Sequence, residues 1–86
     1  MISKNVIVTN ESGIHARPAS KLVGFTSKFK SNVKIIFNRR SANAKSLLNV
    51  LALGCTKGSN IIVEVDGIDE IDAINQIVDF IKNLKG

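Results

Sequence analysis

Histidine, proline and cysteine each occur once in these 86 residues, and tryptophan and tyrosine do not occur at all. Each scarcity excludes something. A single cysteine, Cys55, cannot form an intramolecular disulfide, which fits a reducing compartment. With one histidine and no further cysteine beside it, no metal site is expected, and no cofactor motif is present. Cys55 follows Gly54 at an expected helix end and reads as structural filler. Without tryptophan or tyrosine, and with four phenylalanines at core-like or helix positions, a stacking platform for nucleic acid is not expected. The longest uncharged run of interest, Ser46 to Thr56, is too short to span a bilayer. No apolar stretch follows Met1-Ile2-Ser3-Lys4-Asn5, so no secretory leader and no membrane insertion are expected, and the expected location is cytoplasmic. The length leaves no room for two independent cores, so residues 1–86 are read as one domain.

What is present in excess is positive charge. Twelve Lys and Arg against seven Asp and Glu give a net +5, which suggests an acidic partner. The basic residues are dispersed, at Lys21, Lys28, Lys30, Arg39, Arg40 and Lys45. The acids gather late, at Glu64, Asp66, Asp69, Glu70, Asp72 and Asp79. The more basic half of the chain holds the histidine. A merely solvated basic face would look the same.

The chain is organised around Gly13-Ile14-His15-Ala16-Arg17-Pro18-Ala19-Ser20. Proline suits the first turn of a helix, where an N–H has no intrahelical partner. The helix is therefore expected to begin near Ala16 with His15 at the N-cap, and Gly13 supplies the unusual backbone angle at the turn. Unpaired N–H groups of Ala16 and Arg17 would favour an anion there, and the Arg17 guanidinium suits phosphate oxygens. An imidazole is nucleophilic in its neutral form, which is available near pH 7. Together these suggest a histidine that carries a phosphoryl group. A lone histidine in a small protein is more often a surface or packing residue. With Arg17 and Pro18 beside it, the two readings stand level.

Val6-Ile7-Val8-Thr9 reads as a strand with Val6 and Val8 on one side. A helix of about Ala16 to Ser27 would bury Ala19, Leu22, Val23 and Thr26, leaving Ser20, Lys21 and Gly24 on other faces. Gly24 either packs tightly inside or makes room for a partner. Strands Val33–Phe37 and Arg40–Asn43 follow, with Val33, Ile35 and Phe37 toward the core. Between them, Arg39 would be strained in a tight turn, so a longer or different turn is expected. Ser46 caps a short helix, about Leu47 to Leu53, that Gly54 ends. Val50 and Leu53 are read as core, and Leu47, Leu48 and Leu51 either form an exposed patch suited to protein contact or are mostly buried by a tilted helix. A strand over Ile61–Val65 precedes a last helix starting near Asp69, which would cap it, with Glu70 and Asp72 at its positive end. Ile74, Ile77, Val78, Ile81 and Leu84 form its buried stripe, and Lys82 and Lys85 suit its negative end. The order β-α-β-β-α-β-α suggests an α+β fold, an antiparallel four-stranded sheet with helices on one face.

The histidine stretch, with Lys45-Ser46-Leu47-Leu48-Asn49-Val50-Leu51-Ala52-Leu53-Gly54 at the expected separation, resembles HPr, the histidine-containing phosphocarrier family of the bacterial phosphoenolpyruvate–sugar phosphotransferase system. The resemblance spans essentially the whole chain. Only the Asn38-Arg39 turn departs from it, where the family often has Asn-Gly. It implies an open-faced β-sandwich of strand order β1-β4-β2-β3. It implies that His15 accepts a phosphoryl group, on Nδ1, from phospho-Enzyme I and passes it to IIA components of sugar permeases. Arg17 and the Ala16 and Arg17 N–H groups would hold the phosphate. Such a protein is a stoichiometric carrier and not an enzyme, and a monomer is expected, because one exposed face must serve several partners in turn. Ser20, Lys21, Gly24, Leu47, Leu48 and Leu51 are the expected partner-binding residues.

Ser46 matches the family's regulatory serine. In some relatives an HPr kinase/phosphorylase modifies it and the product binds a catabolite control protein. A phosphate there would sit on a helix N-terminus beside Lys45 and add negative charge next to the leucine patch. One alternative is an HPr-like regulator acting mainly through Ser46 and binding to a transcriptional regulator. His15 argues against it, because relatives that only regulate lack the histidine. A nucleic-acid-binding domain rests on the +5 charge alone. A hydrolase lacks an acidic orienter near His15 in sequence.

Overall fold

The computed structural model describes residues 1–84. The elements are β1 (Ile2–Ile7), α1 (Ala16–Thr26), β2 (Asn32–Phe37), β3 (Arg40–Asn43), α2 (Leu47–Ala52), β4 (Asn60–Asp66) and α3 (Glu70–Lys82). The strands form one antiparallel sheet of order β1-β4-β2-β3, with three helices packed against it. This is the α+β open-faced sandwich that the sequence implies.

Alternation along the strands explains the layering, since successive side chains point to opposite faces. Val6 and Val8, Val33 and Ile35, and Ile61, Val63 and Val65 are all buried. Helical spacing brings Ala19, Leu22 and Thr26 from α1, and Ala73, Ile74, Ile77, Val78 and Ile81 from α3, onto the same core. Leu84 is buried just beyond α3, as expected. Lys85 lies outside the described residues. Val23 and Phe37, expected in the core, are half-buried and pack against its edge. Cys55 is buried and unpaired, and burial pushes its thiol pKa up, which suits filler and not a nucleophile.

Three local expectations are corrected. β1 runs over Ile2–Ile7, not Val6–Thr9, because its polar half pairs with β4 from Ile2↔Val65 to Ile7↔Asn60 while Val8 and Thr9 lie beyond the pairing. The β2–β3 turn is tight: Phe37 pairs with Arg40, and both Asn38 (φ 54°) and Arg39 (φ 65°) take the left-handed conformation. A two-residue turn of that hand matches the strand twist, so sheet closure outweighs the strain on Arg39. Asp69 sits at the N-cap of α3 but does not cap it. Its carboxylate instead accepts from Lys30 N–H and Ser31 N–H, each at 2.9 Å, and from the Ser31 hydroxyl. These bonds, the Ser31 hydroxyl first, hold its pKa below the usual carboxylate range. Glu70 supplies the local closure by accepting from Gly67 N–H at 3.1 Å. No helix among the described residues is long and apolar enough to cross a membrane.

Candidate functional site

Loop residues 8–15 join β1 to α1. Gly13 N–H bonds Asn10 O at 3.1 Å, turning the chain after β1. Gly13 has φ +66°, and a β-carbon on it would lie 2.5 Å from Cys55 O and 2.7 Å from Thr56 Cα. Only glycine allows both the angle and the approach. Ile14 is buried and its N–H bonds Cys55 O at 3.0 Å, seating the loop on the segment after α2. A surface ion pair between Lys57 and Glu11, at 2.7 Å, joins the same two segments and lowers the Glu11 pKa.

His15 follows, at the N-cap of α1, with φ −90° and ψ −168° and no side-chain cap bond. Its carbonyl accepts from Ala19 N–H at 2.8 Å, closing the first turn. Pro18 is buried at the third helical position, so its ring packs inward and its lacking N–H leaves nothing unpaired. His15, Ala16 and Arg17 are exposed. The Ala16 and Arg17 N–H groups lie in the turn that has no intrahelical acceptor, so the site offers two backbone donors, an imidazole and a guanidinium at one helix end. Among the described residues Arg17 and Lys21 are in no ion pair. None of the groupings of His, Cys, Asp and Glu among the described residues suits a metal ion.

Ser20, Lys21 and Gly24 are exposed along α1. A β-carbon at Gly24 would meet nothing within 4 Å, which overturns tight internal packing and leaves open surface there. α2 packs beside α1. Leu48 is 80% exposed and Leu47 38%, but Leu51 is half-buried against the core. The expected three-leucine patch is therefore a two-leucine patch, because a six-residue helix lying on β3 and α1 turns its third leucine inward.

Ser46 caps α2, accepting from Asn49 N–H at 3.4 Å and from Asn49 Nδ2 at 2.8 Å. Lys45 is not free to face it. The Lys45 ammonium donates to Phe29 O at 2.6 Å, tying the turn after α1 to the approach to α2. Other cations are also used internally. Arg40 donates to Ala52 O and Leu53 O at 3.2 Å each, and Lys28 lies over the Phe25 ring at 4.2 Å. A residue that sequence reasoning passed over is Asn10. It is buried, and its Nδ2 donates to Gly13 O at 2.5 Å.

A family model described as the PTS HPr component phosphorylation site matches residues 2–83. The chain belongs to the HPr family. That family is the phosphocarrier component of the phosphotransferase system, and membership together with the fold supports a phosphocarrier role here. HPr-C-His from Thermoanaerobacter tengcongensis is 34% identical with a TM-score of 0.92, the match covering 95% of this chain and 92% of that one. A mycoplasma histidine-containing phosphocarrier protein is 40% identical with a TM-score of 0.79, over 94% and 88% of the two chains. Crh, the catabolite-repression protein of Bacillus subtilis, is 27% identical with a TM-score of 0.77, over 95% and 94%, and was crystallised as a swapped dimer.

Proposed function

We propose that this chain carries a phosphoryl group on His15, taking it from phospho-Enzyme I and giving it to IIA components of sugar permeases. The observation that carries the reading is the placement of an exposed, uncapped histidine at the N-cap of α1, in a chain whose family model matches residues 2–83. In the transfer, a lone pair of one His15 ring nitrogen forms the new N–P bond. The donor's N–P bond breaks and its electron pair returns to the donor imidazole, and each ring keeps its own N–H proton. Little covalent machinery is needed, because phosphoryl transfer rests on in-line positioning and charge stabilisation. The Ala16 and Arg17 N–H groups and the Arg17 guanidinium hold the phosphoryl oxygens. The protein is thus a stoichiometric carrier and not a turnover catalyst.

Ser20, Lys21 and Gly24 on α1, with Leu47 and Leu48 on α2, form the docking face for both partners, with Leu51 buttressing it from beneath. We read the working form as a monomer. The swapped Crh dimer and a dimeric form of the Thermoanaerobacter protein show that relatives also pair. Phosphorylation of Ser46 is a second, regulatory use of the same face. It would place charge beside Leu47 and Leu48, without the support of Lys45, whose ammonium is held by Phe29 O. An HPr kinase/phosphorylase and a catabolite control protein are the partners this regulation requires. The likeness to Crh favours that use, and His15 keeps it secondary.

The experiment is onward transfer. Chain labelled with phosphate through Enzyme I is purified and mixed with a IIA protein. Loss of the label from the chain with an equal gain in IIA is expected, and label retained by the chain would contradict the carrier role.

A further inference from the structure

We propose that Asn10 is a positioning residue for His15, acting through the Gly13–Ile14 peptide. The inference rests on the phosphocarrier reading above and extends it to a residue outside the helix.

The Gly13–Ile14 peptide is held at both ends. Its carbonyl accepts from Asn10 Nδ2 at 2.5 Å, and its N–H donates to Cys55 O at 3.0 Å. Gly13 N–H also bonds Asn10 O at 3.1 Å, so Asn10 grips Gly13 through backbone and side chain together. This peptide is the last one fixed before the histidine. Ile14 is buried on one side of it, and His15 stands exposed on the other with no side-chain cap bond of its own. The direction in which His15 leaves the fold is therefore set by the backbone behind it, and Asn10 holds one end of that backbone.

The amide is committed to this task at a cost. Asn10 is 6% exposed, and its Oδ1 is enclosed with no donor among the described residues. Reversing the amide would bring its oxygen against Gly13 O, so the bond fixes the orientation and leaves Oδ1 unpaired. A buried acceptor without a protein donor costs stability, so losing it offsets part of the loss of the Gly13 bond. An alanine at this position gives up the hydrogen bond and removes the unpaired oxygen too. The two effects oppose each other in stability, but only the first touches the position of His15.

The test is Enzyme I-dependent phosphorylation of wild type, Asn10→Ala and Asn10→Asp, followed by intact mass over time, with urea unfolding of each protein. Asn10→Asp keeps the shape and replaces the donor with an acceptor, so it tests the bond even if the alanine variant folds poorly. We expect kcat to fall about ten-fold or more in both variants, with KM within about two-fold, because the nucleophile is displaced and the docking face is not. The urea midpoint of Asn10→Ala stays close to wild type, and its Ile14 N–H exchanges faster. Wild-type kcat in either folded variant, or a loss confined to KM, overturns the inference and leaves the carrier reading intact. Wild type that takes no phosphate on His15 overturns both.

Discussion

Gly13 is a residue whose replacement the backbone tolerates poorly. Alanine there would need φ +66° and would bring its β-carbon against Cys55 O and Thr56. A Gly13→Ala variant should lose about 2–3 kcal/mol of stability in urea unfolding, from left-handed strain together with displacement of the α2–β4 segment. Asp69 makes a different kind of prediction. Its folded pKa is depressed, so its contribution is present above the unfolded carboxylate value and is lost as pH falls through the folded one. The unfolded value lies at about 4. Wild type should therefore be more stable than Asp69→Asn at pH 7, and the gap should close as the pH is lowered beyond about 4. Parallel thermal melts down the pH scale check this; a gap that does not shrink as the pH falls below about 4 would contradict it. The sequence signals at this scale were uneven. His15 at the N-cap and Pro18 in the first turn were legible because their backbone requirements are local. The bonds from Lys45 to Phe29 O and from Ser31 to the Asp69 carboxylate were not, because they join positions far apart in the chain.

Among the elements, the β2–β3 hairpin carries the clearest conflict between local preference and tertiary demand. Arg39 is held at φ 65° by closure of the Phe37↔Arg40 pair. Arg39→Gly removes that strain and should stabilise the protein by about 1 kcal/mol, read as a higher urea midpoint with an unchanged slope. An unchanged or lower midpoint would show that the turn is not strained. The sequence made the penalty visible but not the winner, because the twist of the sheet lies outside the turn's own residues. The same holds for β1. Ser3, Lys4 and Asn5 give no strand signal alone, and pairing with β4 makes them one. Helices α1 and α3 were legible because each carries a continuous apolar stripe of helical period. α2 was harder. Its leucines outnumber the inward positions of a six-residue helix, and only its seat on α1 and β3 decides that Leu51 turns in.

For the whole molecule, the sheet and α3 form a back against which α1 and α2 lie side by side. Leu48 belongs to the surface and not to the core, being 80% exposed. Leu48→Ser should leave the urea midpoint within about 0.5 kcal/mol of wild type and raise the KM of Enzyme I for the chain several-fold. Equal KM values would remove α2 from the docking face. Strand order and the exposed helix face were accessible before the structure only through the resemblance to HPr. Alternation and periodicity identify buried faces, but they do not say which strands are neighbours. The central claim is that His15 carries the phosphoryl group. The most direct measurement is intact mass after incubation with phosphoenolpyruvate, magnesium and purified Enzyme I, for wild type and His15→Ala. One acid-labile phosphate on wild type and none on the variant is the predicted result. An unmodified wild type, beside a control carrier that the same Enzyme I phosphorylates, would contradict it.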